Sequence, residues 1–317
     1  MRVLFATDGS RSADRARDLL NRLPWPIGTS FCVTSALEPR GELFAAPWMM
    51  PAPKELDSVE AELLRHADVT LDDAVRTLEG PGRTVERITL RGHPASAIVE
   101  EATAWKADLV VVGNRGHGPI ASMVLGSVSA EVVDHAPCPV LVVRDGAVSS
   151  VVLAVDGSPG AERAVQVIRS WPILHDLPVA VVGVAETAVP WGAGMVVGLY
   201  DEVITSYAQD VDLARRGTSD LVNQVAESLV AAGVHASPHV LEGDPGHEIV
   251  EFARRRPGSL VVVGTRGLGG LSRLVLGSVA RNVLLHAAGS VLVVRETVGG
   301  TEVEGGAEQE RVGSAAD

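Results

Sequence analysis

Residues 109–127 read LVVVGNRGHGPIASMVLGS, and residues 260–278 read LVVVGTRGLGGLSRLVLGS. Each stretch opens on a short continuous apolar run, the pattern of a strand buried on both faces of a parallel sheet. Each then passes through Gly-x-x-Gly and, nine residues later, reaches a Gly-Ser that opens a helical pattern. Other pairs flank this one. RVLFATDGS (2–10) answers SVVLAVDGS (150–158), RGHPASAIVEEA (91–102) answers EGDPGHEIVEFA (242–253), and PVLVVR (139–144) answers SVLVVR (290–295). Gly113 and Gly264 stand 151 residues apart, and Asp8 and Asp156 stand 148 apart. A period of that length is a whole domain, not a solenoid unit. The chain of 317 residues therefore divides into expected domains at 1–147 and 148–297. A Gly/Glu-rich acidic tail at 298–317 has no apolar period and is expected to be disordered.

Within each copy apolar runs alternate with helical patterns. In the first, strands are expected at Val3–Ala6, Ser30–Leu37, Thr84–Leu90, Leu109–Gly113 and Val140–Arg144, with helices at Ser12–Leu23, Glu55–Leu78, Ala95–Trp105 and Ser127–His135. The second repeats the series from Val151 to Arg295. Alternating buried strands and helices give an α/β fold, with two tandem doubly wound five-stranded parallel sheets of order 3-2-1-4-5. Such sheets take ligands at the carboxyl ends of strands 1 and 4, where the winding reverses. Those are the positions where the two copies agree best.

Composition removes several classes of function. Lys+Arg total 27 against 40 Asp+Glu, a net charge of −13, and aromatics are 3%. Nucleic-acid binding needs clustered cations or stacking platforms, so neither a nucleic-acid nor a membrane partner is expected. No apolar run reaches the ~18 residues of a membrane helix. MRVLFATDGS reads as a strand entering a turn rather than a leader, which points to the cytoplasm. Lys54 and Lys106 are the only lysines and no Gly-Lys-Ser/Thr occurs, which excludes an ordinary P-loop. No G-x-G-x-x-G follows strand 1. Cys32 and Cys138 would lie three strands apart, about 14 Å at ~4.8 Å per strand. That is beyond disulfide reach, so both are expected to be reduced and buried.

The loop after strand 4 carries the chemistry. Glycines admit positive φ and a close backbone approach, and a helix N-terminus favours an anion. Such a loop serves equally as a plain turn or as a phosphate cradle, and the residues alone leave both open. Arg115 and Arg266 either add charge there or are solvated. Asp8 and Asp156, each before Gly-Ser, suit an Asx turn or a helix cap and can still border a pocket. His135 and His286 occupy matching late-helix positions, where a histidine complements the dipole. His93 and His117 have no histidine counterpart. The long stretches around Pro47-Trp48 and Pro190-Trp191 suggest lids or contact surfaces.

The G-x2-G-x9-G-S spacing, preceded by LVVVG and followed by a helix and PVLVVR, resembles the universal stress protein family. VLAVDGSPGAERA from Val152 is similar to the opening of that family's domain. The resemblance covers both copies and leaves only the tail. It implies the adenine nucleotide alpha hydrolase-like fold and the ATP-binding branch of the family, with Mg²⁺ accompanying ATP. Gly113, Asn114, Arg115, Gly116, Gly126, Ser127 and Val128 would then hold phosphates and ribose, Asp8 would line the ribose-phosphate side, and the backbone at Ala36 would meet adenine. In copy two these roles fall to Gly264, Thr265, Arg266, Gly267, Gly277, Ser278, Val279, Asp156 and Val184.

No nucleophile–base–orienter arrangement recurs in both copies. The first reading is a regulatory, stress-response ATP-binding module with up to two ATP sites; the alternative is a slow Mg²⁺-dependent ATP hydrolase. In order 3-2-1-4-5, strand 5 is an edge, and one as apolar as PVLVVR must be covered or paired. Val140–Arg144 and Val291–Arg295 are therefore expected to pair antiparallel about a local dyad, as single-domain relatives do on dimerising. Chain–chain association through the Trp48 and Trp191 segments would give a homodimer.

Overall fold

The computed structural model describes residues 1–38, 53–116, 125–186, 201–265 and 276–295. Trp48, Trp191, His117, Arg266, Gly267 and the acidic tail lie outside the described residues. Copy one runs β1 (Arg2–Ala6), α1 (Arg11–Arg22), β2 (Thr29–Leu37), α2 (Pro53–Leu78), β3 (Arg83–Arg91), α3 (Pro94–Ala104), β4 (Leu109–Gly113), α4 (Ser127–His135) and β5 (Val140–Val143). Copy two runs β6 (Ser150–Ala154), α5 (Pro159–Ser170), β7 (Val179–Ala185), α6 (Asp201–Ala231), β8 (Ala236–Glu242), α7 (Pro245–Arg254), β9 (Ser259–Gly264), α8 (Ser278–His286) and β10 (Val291–Val294). Every expected strand and helix is present. Among the described residues the structure adds a 3-10 turn at Pro172–Leu174, which buries Ile173 and Leu174 but is too short to show a period in the sequence.

The strands form one ten-stranded sheet, β3-β2-β1-β4-β5-β10-β9-β6-β7-β8. Each half has the expected order 3-2-1-4-5. All pairings within a half are parallel. At the centre β5 and β10 run antiparallel, with Val140, Leu141 and Val142 opposite Val293, Leu292 and Val291. Joining them leaves neither apolar strand as an open edge. One continuous core lies on each face. Leu19, Leu71, Ile168 and Leu229 bring α1, α2, α5 and α6 to one side. Ile98, Val133, Phe252 and Leu284 bring α3, α4, α7 and α8 to the other. Because the halves are antiparallel, their carboxyl-end crevices open at opposite margins of the sheet.

The seam is closed by arginines. Arg144, 6% exposed, donates through Nη2 to the Leu284 carbonyl at 2.5 Å and through Nη1 to the Gly289 carbonyl at 3.3 Å. Leu284 sits in the last turn of α8, the negative end of that helix. Burial draws the guanidinium down to about 10, which leaves it charged at neutral pH. Arg295 mirrors it, donating to the Val133 carbonyl in the last turn of α4 at 2.9 Å. Cys32 and Cys138 are buried free thiols, as the strand spacing requires. Among the described residues no helix is long and apolar enough to cross a membrane.

Candidate functional site

The turn after the first strand is built alike in both copies. Gly9 at φ +75° and Gly157 at φ +76° occupy the left-handed region that glycine enters without strain. The turn lets Asp8 Oδ1 accept from the Ser10 amide at 3.0 Å, and Asp156 Oδ1 from the Ser158 amide at 2.9 Å. The serines then cap α1 and α5 by accepting from the Ala13 and Ala161 amides. Of the two local roles open to the aspartates, the structure gives them the Asx turn and gives the cap to serine. Both aspartates stay exposed at the crevice.

The glycines of the second loop do different work. A Cβ on Gly113 would fall 2.6 Å from Ser12 Oγ and 2.9 Å from the Ala13 amide nitrogen. On Gly264 it would fall 2.4 Å from the carbonyl carbon of Gly160. These two residues are glycine because β4 and β9 pass directly under the first turn of α1 and α5. Gly116 differs: a Cβ there would fall 2.5 Å from Asp8 Oδ2, so this glycine brings the β4 loop against the Asp8 turn.

The loop is pinned at both ends. The Asn114 amide donates to the Val143 carbonyl at 3.0 Å, and the Asn114 carbonyl accepts from the Gly126 amide at 2.8 Å. Thr265 repeats this with Val294 and Gly277 at 3.0 and 2.8 Å. The loop thus delivers Gly126 and Gly277 to the start of α4 and α8. Side chains cap α1, α5 and α7, through Ser10, Ser158 and Asp244. Among the described residues no side chain caps α3, α4 or α8, and none of the three has an acid in its first turn. Ser127 and Ser278 are exposed there, with Val128 and Val279 half-buried behind them. Among the described residues the first N–H groups of α4 and α8 thus have no side-chain partner, at the positive end of each helix. Ala36 and Val184, both half-buried, lie at the carboxyl ends of β2 and β7, paired with Leu90 and Leu241. Asp8, Ala36, Asn114, Arg115, Gly116, Gly126, Ser127 and Val128 thus belong to one margin of the first half-sheet. Their described counterparts occupy the opposite margin. His135 and His286 sit at the far ends of the same helices, donating through Nδ1 to the Glu131 and Asn282 carbonyls at 2.9 Å.

The two margins are not equivalent. Ser12 Oγ donates to Asn114 Oδ1 at 2.6 Å and accepts from the Arg115 amide at 3.2 Å. Ser10 Oγ also donates to the Arg115 carbonyl at 3.1 Å. Copy two has Gly160 where copy one has Ser12, and Thr265 where it has Asn114. Over the Asp8-Gly9 turn, α2 places Thr70 and His66: a Cβ on Gly9 would fall 2.9 Å from Thr70 Oγ1 and 3.3 Å from His66 Nε2. The same construction on Gly157 meets, among the described residues, only Leu221 Cδ2, at 3.8 Å. Thr34, on β2 two residues before Ala36, has a buried hydroxyl with no partner among the described residues, and its counterpart is Val182. Sequence reading missed Ser12, Thr34, His66 and Thr70. Position-by-position comparison of the copies would have flagged the first two, whereas α2 carries no motif from which to align the others.

Comparisons with known proteins agree on one family. The model of the universal stress protein family matches residues 1–144 and again 148–295. A universal stress protein of Thermus aquaticus is 36% identical over 146 residues, 45% of this chain and 97% of that protein. One of Mycobacterium bovis is 31% identical over 217 residues, 64% of this chain and 66% of that protein. In three dimensions a universal stress protein of Archaeoglobus fulgidus overlays with a TM-score of 0.62 at 19% identity, covering 93% of this chain and 98% of that one. With its matched domains, its sheet order and its twice-repeated loop, the chain belongs to the universal stress protein family, as a tandem of two such domains.

Proposed function

We propose that this stress-response module binds ATP with Mg²⁺, at up to two places per chain. The observation that carries the reading is the pair of uncapped helix starts, Gly126-Ser127-Val128 and Gly277-Ser278-Val279, each presented by a glycine loop to a crevice with an exposed aspartate. The residues fit a nucleotide. The N–H groups of Ser127 and Val128 would take phosphate oxygens, as helix starts do. Gly116, whose missing Cβ leaves room against Asp8, would let the chain pass close to the backbone. Asp8 would border the ribose and the end of β2 at Ala36 would meet the base, with the corresponding roles in copy two at Asp156 and Val184. Mg²⁺ would arrive on the phosphate chain, a hard cation kept by phosphate oxygens and water.

Binding of this kind gives the protein a nucleotide-dependent surface rather than a turnover cycle. The test is mass analysis of small molecules released by denaturing freshly purified protein, followed by ATP titration of the stripped chain. Released adenine nucleotide, or saturable ATP binding, is expected. A stripped chain that takes up no ATP in the presence of Mg²⁺ would remove the reading.

A further inference from the structure

The two copies differ in how the first helix is tied to the glycine loop. In copy one Ser12, 8% exposed, stands in the first turn of α1 and uses its hydroxyl twice. It donates to Asn114 Oδ1 at 2.6 Å and accepts from the Arg115 amide at 3.2 Å. A serine in a first helical turn ordinarily bonds to backbone close by in sequence. This one reaches a partner 102 residues away. The carbonyl of the same Asn114 accepts from the Gly126 amide at 2.8 Å, and Gly126 opens α4. Ser12 therefore holds the side chain of the residue that carries the start of α4, together with the amide that follows it.

Copy two has Gly160 at the matching place and Thr265 in place of Asn114. That position of α5 therefore has no side chain with which to tie the loop. The contact between strand end and helix does not need one. A Cβ on Gly264 would fall 2.4 Å from the carbonyl carbon of Gly160, and one on Gly113 would fall 2.9 Å from that of Ser12. Both strand ends pass under their helix at backbone contact, with or without a hydroxyl. A polar group buried for packing alone is unfavourable. The Ser12 hydroxyl thus answers to the loop rather than to the packing beneath it.

We propose that Ser12 is a positioning residue: it sets the copy-one loop before nucleotide arrives and makes copy one the tighter of the two nucleotide sites. The inference rests on the nucleotide reading and adds no contact to the ligand. A hydroxyl that both donates and accepts fixes Asn114 and Arg115 in advance. A loop already ordered in the free chain loses less entropy on binding, and the difference appears as affinity. Copy two keeps the pins from Thr265 to Val294 and Gly277, at 3.0 and 2.8 Å, but has no counterpart of Ser12.

The test is calorimetric titration of ATP with Mg²⁺ into the full, nucleotide-free chain, beside amide exchange of the same chain without nucleotide. The tighter component should be the one that Gly116→Val removes. Ser12→Ala should weaken that component about tenfold or more, the worth of a hydrogen bond read as affinity, and leave the other within about twofold. Ser12→Thr keeps a hydroxyl and should bring the component back to within about threefold of the parent. A general loss of stability would weaken both components alike, and melting curves check for one. Without nucleotide, Ser12→Ala should speed exchange of the Arg115 amide about tenfold. Two components of equal affinity, a tighter component that survives Gly116→Val, ATP binding untouched by Ser12→Ala, no recovery in Ser12→Thr, or an Arg115 amide exchanging at the parent rate would overturn the inference and leave the nucleotide reading standing. A parent chain that binds no ATP would remove the nucleotide reading, and this inference with it.

Discussion

Gly264 is held so close to α5 that an added Cβ would fall 2.4 Å from the backbone of Gly160, and neither side can move without shifting a strand or a helix. Gly264→Ala is therefore expected to cost roughly 3 kcal/mol of stability, at the upper end for overpacking. A urea midpoint unchanged from the parent would contradict that packing. Gly116→Val behaves differently, because its Cβ would meet not backbone but the Asp8 carboxylate, which the Ser10 amide holds in the Asx turn. It should cost about 1 kcal/mol, an ordinary value for a point substitution, while removing nucleotide from site one. The motif does not separate these glycines; only the neighbours of each Cα do. The thiols make a second prediction at this scale. Burial, its largest cause, pushes Cys32 and Cys138 from 9.0 up to about 12. Below pH 9 both states keep the proton and stability is unaffected; between 9 and 12 the unfolded chain alone releases it. Stability should therefore fall by about 1.4 kcal/mol per pH unit per thiol in that window. Urea midpoints from pH 8 to 11 measure the slope, and Cys32→Ala should make it shallower.

The helices divide by how they begin. Ser10 and Ser158 close the first turns of α1 and α5, and Ser10 Oγ also donates to the Arg115 carbonyl. Ser10→Ala should cost about 1 kcal/mol, the usual value of an N-cap. Ser127 and Ser278 cap nothing, so Ser127→Ala should leave stability unchanged. Equal losses in the two variants would contradict the assignment of bare and capped starts. The element series was legible in the sequence because buried parallel strands such as Leu109–Gly113 are uninterrupted apolar runs and α1 has a clean apolar face. The Asp-Gly-Ser turn was legible only in part: its residues suit both an Asx turn and a cap, and only the backbone hydrogen bonds decide. The contribution of α2 to the crevice was not legible, since His66 and Thr70 reach Gly9 through a tertiary contact between elements some sixty residues apart.

At the scale of the molecule, the seam between the copies is the feature the sequence argued most directly, from the apolarity of two strands that would otherwise be edges. Arg144 was not anticipated, although an arginine ends PVLVVR and SVLVVR alike. Arg144→Ala removes charge-assisted bonds to the Leu284 and Gly289 carbonyls and should cost roughly 3 kcal/mol. It should also speed amide exchange at Leu141–Val143 and Leu292–Val294; unaltered exchange would mean that the clasp does not hold the strands. The outer edges are of another kind. Arg83, Glu86, Arg87 and Arg91 lie along β3, and Pro238 interrupts the donors of β8, so the sheet is built to stop at ten strands. The antiparallel join also sets the crevices at opposite margins, which makes the two proposed nucleotide sites separable. The most direct test of the account is calorimetric titration of ATP with Mg²⁺ into stripped chain, beside the Gly116→Val variant. Saturable binding in the parent and loss of the copy-one component alone in the variant are expected. No binding in the parent, or a variant identical to it, would contradict the account.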